Sequence, residues 1–165
     1  MKICVTSASK GGTGKTTFAE VFTYILKTFG ISASVVRPQE DARVGVKVVD
    51  FPAFPLSDKT YLKKALTCDW TLYVVDEDEE TLRAVEIFHV MTRPRLAGVV
   101  LNKVIRRPSK YFTTAYKRLA QVYVIRFDEN LAVHKSIGVP PYRVRSPAVL
   151  DMAKTSVDLV KKLKF

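Results

Sequence analysis

The stretch Ser9-Lys10-Gly11-Gly12-Thr13-Gly14-Lys15-Thr16-Thr17 carries the densest chemistry in the chain. Gly11, Gly12 and Gly14 let backbone N–H groups turn inward around phosphate oxygens without Cβ clashes. Lys15 supplies a cation for the β and γ phosphates, and Thr16 supplies the hard hydroxyl oxygen that Mg²⁺ accepts. The general spacing GxxxxGK[ST] would put glycine where Ser9 stands, while Gly14-Lys15-Thr16 is intact. A nucleotide with Mg²⁺ is the expected ligand, held by Gly11, Gly12, Thr13, Gly14, Lys15, Thr16 and Thr17.

A phosphate loop belongs between a strand and a helix, and both flanks fit. Residues 2–6 are strand-like, and Phe18, Val21, Phe22, Ile25, Leu26 and Phe29 recur at helical steps before Gly30 stops the pattern. Further strand-like runs fall at 31–36, 44–51, 70–75, 97–102 and 122–127, several of them apolar without alternation, as in buried parallel strands. Helical patterns fall at 79–91, ended by Arg93-Pro94, at 109–120, and from Ser146-Pro147 onward. The expectation is one α/β domain over residues 1–165, with a mostly parallel central sheet and helices on both faces in three layers. The stretch between the second and third strands is too short for a helical crossover, which predicts an antiparallel hairpin or a shortened edge strand there.

Composition narrows the setting. At 47% hydrophobic residues the chain can bury a core, yet no apolar run approaches the roughly 18 to 20 residues of a membrane span. Met1-Lys2-Ile3-Cys4-Val5 enters a strand without the features of a secretion leader. Cys4 and Cys68 form no CxxC pair and no disulfide framework; they read as small buried hydrophobes in a reducing cytoplasm. Charge is unevenly spread: residues 1–82 hold 10 Lys and Arg against 11 Asp and Glu, whereas residues 83–165 hold 17 against 5. Between Glu86 and Asp128, basic residues including Arg106, Arg107, Lys110, Lys117, Arg118 and Arg126 meet no acid, which favours a polyanionic partner.

Lys10 adds a second lysine to the loop, and Lys-Gly-Gly-Thr-Gly-Lys-Thr-Thr resembles the deviant Walker A motif of the ParA/MinD family of P-loop ATPases. The resemblance continues through Val48-Val49-Asp50-Phe51-Pro52-Ala53, which looks like the family's second switch, and through Gly98-Val99-Val100-Leu101-Asn102-Lys103, which looks like its adenine-recognition strand. Phe127-Asp128-Glu129-Asn130 with Ala132, Gly138 and Pro140 is similar to its tail. It implies the P-loop NTPase fold, ATP and Mg²⁺ as ligands, Lys10 acting in trans across a nucleotide-sandwich homodimer, Asp50 serving Mg²⁺ beside Thr16, and Asn102 recognising adenine. Lys10, Lys15 and Asp50 become the catalytic candidates.

Three departures stand against that pattern. The first switch, Asp-x-Asp-Pro-Gln in the family, reads Val35-Val36-Arg37-Pro38-Gln39 here and lacks both aspartates, with Glu40 and Asp41 the nearest acids. Since the second aspartate helps position the attacking water, its absence predicts slow hydrolysis with binding retained. The second switch continues into Phe54-Pro55 rather than glycine, which stiffens the phosphate sensor. The third departure is the shortened link between the second and third strands.

Other residues read as structural. His89 and His134 have no metal-ligand spacing, and Asp76-Glu77-Asp78-Glu79-Glu80 reads as helix capping. The expected function is a slow ParA-like ATPase, stimulated by a partner protein, whose ATP dimer holds DNA without sequence readout through Arg106, Arg107, Lys110, Lys117 and Arg118. It would act in partition or cargo positioning in the cytoplasm, at the nucleoid. The alternatives are a nucleotide-binding regulatory or scaffold protein with little hydrolysis, and a MinD-like membrane-associated ATPase. The membrane is the disfavoured partner, because the apolar face of the last helix looks committed to the core.

Overall fold

The computed structural model describes residues 1–134 and 136–165. Its strands are β1 (Lys2–Thr6), β2 (Ala33–Val36), β3 (Val46–Asp50), β4 (Trp70–Val75), β5 (Leu96–Val104) and β6 (Val122–Arg126). They form one sheet in the order β2-β3-β1-β4-β5-β6, every neighbouring pair parallel. The helices are α1 (Lys15–Thr28), α2 (Lys59–Ala65), α3 (Glu79–Thr92), α4 (Lys110–Lys117), the short α5 (Glu129–Ala132) and α6 (Pro147–Leu163).

Alternation along the strands divides the core in two. Ile3 and Val5 face a layer built from Phe18, Phe22 and Leu26 of α1 and Met152, Leu159 and Leu163 of α6. Cys4 faces the other layer, with Ala65 of α2, Leu82, Val85 and Phe88 of α3, and Tyr116 of α4. The apolar stripe of α6 is therefore used up inside the molecule, and no helix among the described residues is long and apolar enough to cross a membrane.

Helix ends follow local chemistry. Asp58, Asp78 and Ser146 cap α2, α3 and α6 by accepting N–H bonds from the first turn. Helix α1 ends at a left-handed Gly30 whose N–H reaches Lys27 O, while Ile31 N–H reaches Leu26 O, so Phe29 is turned out to solvent rather than extending the buried stripe.

The antiparallel hairpin predicted between the second and third strands does not form: β2 is a short edge strand, but it runs parallel to β3. The nine residues 37–45 make the return without a helix. Extended, they reach about 30 Å, and passing back along a five-residue strand needs only about 17 Å.

Candidate functional site

Strand β1 ends at Thr6, α1 begins at Lys15, and the loop between them folds back on the carboxyl end of the sheet. Ala8, Gly12 and Gly14 take positive φ values of 56°, 73° and 97°. Gly14 occupies the N-cap of α1 with no side chain bonded to the first turn, leaving those N–H groups to a ligand. A Cβ at Gly14 would collide with the Asn102 amide, whose Nδ2 donates to Thr13 O at 2.9 Å. Asn102 is thereby carried from β5 to the rim of the loop.

Lys15 is 7% exposed and folds into the cradle, its Nζ donating to Ser7 Oγ at 2.8 Å and Lys10 O at 3.0 Å. Burial pushes its ammonium below the ordinary lysine value; Asp50 and Asp76 pull it back and Lys103 adds to the fall. Thr16 Oγ1 donates to Asp50 Oδ2 at 2.7 Å. Asp50 is 6% exposed, and its other oxygen, Oδ1, is buried without a hydrogen-bond partner. A buried carboxylate oxygen left open beside a threonine hydroxyl suits Mg²⁺ or its water. Among the described residues no trio of His, Cys, Asp or Glu could enclose a metal.

A cavity of about 260 Å³ opens beside the loop, walled by Gly14, Thr17, Asn102, Lys103, Phe127 and Met152. Asp128 lines it too; one of its oxygens caps α5 through Asn130 N at 3.0 Å and the other, Oδ2, is buried and unpartnered. The cavity shares Gly12, Gly14 and Thr17 with the loop and its following helix, so the two adjoin.

The structure also supplies residues that the motif alone does not reveal. Ser7 holds Lys15. Lys103, left-handed at φ 58° where β5 shifts register, bonds its Nζ to Gly12 O, and its place beside Asn102 was the only signal available. Glu80 accepts from Lys10 Nζ at 2.9 Å, and that bond, with the charges of Glu80, Asp78 and Asp76, raises the lysine above its ordinary value. Within the acidic run only Asp78 caps α3; Glu77 accepts from Ser109 N, Glu79 from Tyr111 and Asp76 from Thr81.

Asp41 is held away from the loop between β1 and α1, while Glu40 stays beside Arg37, just past the carboxyl end of β2. Glu40 accepts from Arg37 N at 2.9 Å, and Asp41 pairs with Lys47 near the start of β3, the opposite end of the sheet. The segment after Asp50 is anchored instead: Phe54, 2% exposed, packs on Tyr61 and Phe88 with centroids 5.2 and 6.0 Å away, and its N–H reaches Ala8 O. Arg106, Arg107, Lys110, Lys117 and Arg118 are exposed, and none is in an ion pair among the described residues. Arg126 lies at the end of β6 and makes a two-pronged bond to Asp151 at 2.8 and 2.9 Å, so it is not part of a free patch. His89 meets Tyr73 and buried His134 meets Leu131 O, each a structural contact.

No family model and no curated protein sequence matches this chain. Solved structures do. The septum site-determining protein MinD from Pyrococcus horikoshii, complexed with Mg-ADP, superposes with a TM-score of 0.75 at 16% identity, covering 99% of this chain and 98% of its own. The fold is that of the MinD and ParA ATPases. A ParA family ATPase from Chlorobium tepidum superposes with a TM-score of 0.73 at 12% identity over 94% and 98% of the two chains. McdA from Cyanothece, as an ATP complex of a variant, gives 0.71 at 9% identity over 97% and 96%.

Proposed function

We propose that residues 1–165 form a MinD/ParA-like ATPase domain that binds ATP with Mg²⁺ and hydrolyses it slowly. The observation that carries this proposal is the Thr16–Asp50 pair with its open buried oxygen, set over buried Lys15 at an uncapped helix start. Lys15 and the 11–14 backbone hold the β and γ phosphates, Thr16 and Asp50 serve Mg²⁺, and Asn102 with the adjoining cavity takes the adenine. Mg²⁺ bound there neutralises charge on the phosphates. The Mg-ADP and ATP complexes of the neighbouring folds support this ligand choice. Slow turnover follows from Arg37 replacing the first-switch aspartate, from Asp41 being drawn to Lys47, and from the Glu40 carboxylate being turned onto the Arg37 N–H.

In the ATP state the chain forms a sandwich homodimer in which Lys10 leaves Glu80 for the partner's phosphates, and the exposed basic residues of α4 and the preceding loop hold DNA without sequence readout. An activating protein accelerates turnover, and the assembly works in the cytoplasm at the nucleoid. The test is ATP turnover with and without duplex DNA, beside sedimentation in ATP and in ADP. We expect a slow basal rate and a doubled mass in ATP only. Turnover of several per second without a partner rejects the slow mechanism, and an unchanged mass in ATP rejects the trans role of Lys10.

A further inference from the structure

Cys4 and Cys68 take no part in the nucleotide site, yet the fold sets them face to face, where the sequence suggested two separate buried hydrophobes. Cys4 is 1% exposed in β1, and Cys68 lies half-buried just beyond α2. Their Cα atoms are 5.9 Å apart, within the range of about 4.4 to 6.8 Å that a disulfide needs. The spacing is braced by the backbone as well: Asp69 N donates to Lys2 O at 2.9 Å, and Lys2 N to Asp69 Oδ2 at 2.7 Å.

Cys68 also opens on a cavity of about 280 Å³ that gathers Lys2, Arg37, Lys47 and Lys64 against Glu40 and Asp41. Asp41 is engaged by Lys47, so the balance of the cavity is positive. The cations of this cavity draw in an anionic reagent.

We propose that Cys4 and Cys68 form a reversible dithiol–disulfide site, entered at Cys68 from this basic cavity by a small anionic disulfide such as oxidised glutathione. The Cys68 thiolate attacks one sulfur of the reagent, forming a mixed disulfide and releasing one thiolate. Cys4 then displaces the second thiolate and closes the protein disulfide. Two protein thiols are oxidised, the reagent disulfide is reduced to two thiols, and the two protein protons pass to the leaving thiolates. Oxidation ties β1, which leads into the phosphate loop, to the segment beyond α2.

The test equilibrates wild-type protein with graded ratios of oxidised to reduced glutathione, quenches in acid, alkylates in denaturant and weighs the intact chain. Alkylated thiols should fall from two to none with no glutathione adduct remaining and with monomer mass retained without reductant. Cys4→Ser should stop at an adduct on Cys68, and Cys68→Ser should keep Cys4 as the free thiol. Adduct formation in Cys4→Ser should slow at least about threefold between roughly 20 and 300 mM salt as the cavity is screened. Oxidised wild type should melt on the order of 10 °C above the reduced form. Two thiols at every ratio, a disulfide-linked dimer, or an adduct on Cys4 instead of Cys68 overturns the proposal, and a salt-independent rate overturns entry through the basic cavity.

Discussion

Lys15 is a buried cation whose direct partners are two neutral oxygens, Ser7 Oγ and Lys10 O, with the Asp50 charge further off. A phosphate would complete its surroundings, so Lys15→Ala should lower ATP affinity at least about tenfold by calorimetry. Unchanged affinity would remove the phosphate loop from the mechanism. The same burial makes a second prediction, for the unliganded protein. Because the folded value lies below the ordinary one, the unfolded chain holds more protons in the window between them, and the Lys15 contribution to stability rises with pH across it. Lys15→Met should abolish that rise, and at pH 7 in phosphate-free buffer it should melt about 3 °C higher than wild type by calorimetric scan. Lys10 differs, since its charge is already met by Glu80 at the surface. Lys10→Ala should leave ATP affinity within a few fold while abolishing the ATP-dependent mass change in sedimentation.

At the scale of elements, the second switch is held by aromatic packing. Phe51 and Phe54 meet Tyr61 of α2, and Phe54 also meets Phe88 of α3, so the segment after Asp50 is fastened to the helical layer. Phe54→Ala should cost about 3 to 5 kcal/mol in denaturant unfolding. A loss below about 1 kcal/mol would mean that the switch segment is only loosely attached. The 37–45 return runs back toward the start of β3, with Lys64 Nζ of α2 donating to Pro38 O and Asp41 reaching Lys47.

Across the whole molecule, five of the seventeen basic residues of the second half, Arg106, Arg107, Lys110, Lys117 and Arg118, gather on the loop before α4, on α4 and at its C-cap. Lys110 and Lys117 stand seven residues apart on one face of α4, and Arg106 and Arg107 lie in the loop that leads into it. Neutralising phosphates with such a surface releases counterions, so DNA affinity should fall with salt at a log–log slope near −0.9 per phosphate contacted. Reversing Arg106, Arg107 and Lys110 to Glu should abolish binding to random duplex while sparing ATP affinity. Absence of wild-type binding at about 50 mM salt with ATP present would assign the surface to a different polyanion.

By itself the sequence determined what depends on neighbours along the chain. The bounds of β1 and β4, the onset of α3 at Glu79, the Ser146-Pro147 start of α6 and the Gly30 stop all follow from periodicity and capping within a few residues. The place of the glycine-rich loop between β1 and α1 was legible for the same reason, since the loop and its flanking elements are consecutive in the chain. Tertiary structure alone decided what depends on residues distant in sequence. The parallel entry of β2, the bonds of Lys10 to Glu80 and of Asn102 to Thr13, and the meeting of Cys4 with Cys68 each join such residues. Those pairings are set by strand order and by how two helical layers close on one sheet, and neither has a local signature in residue type.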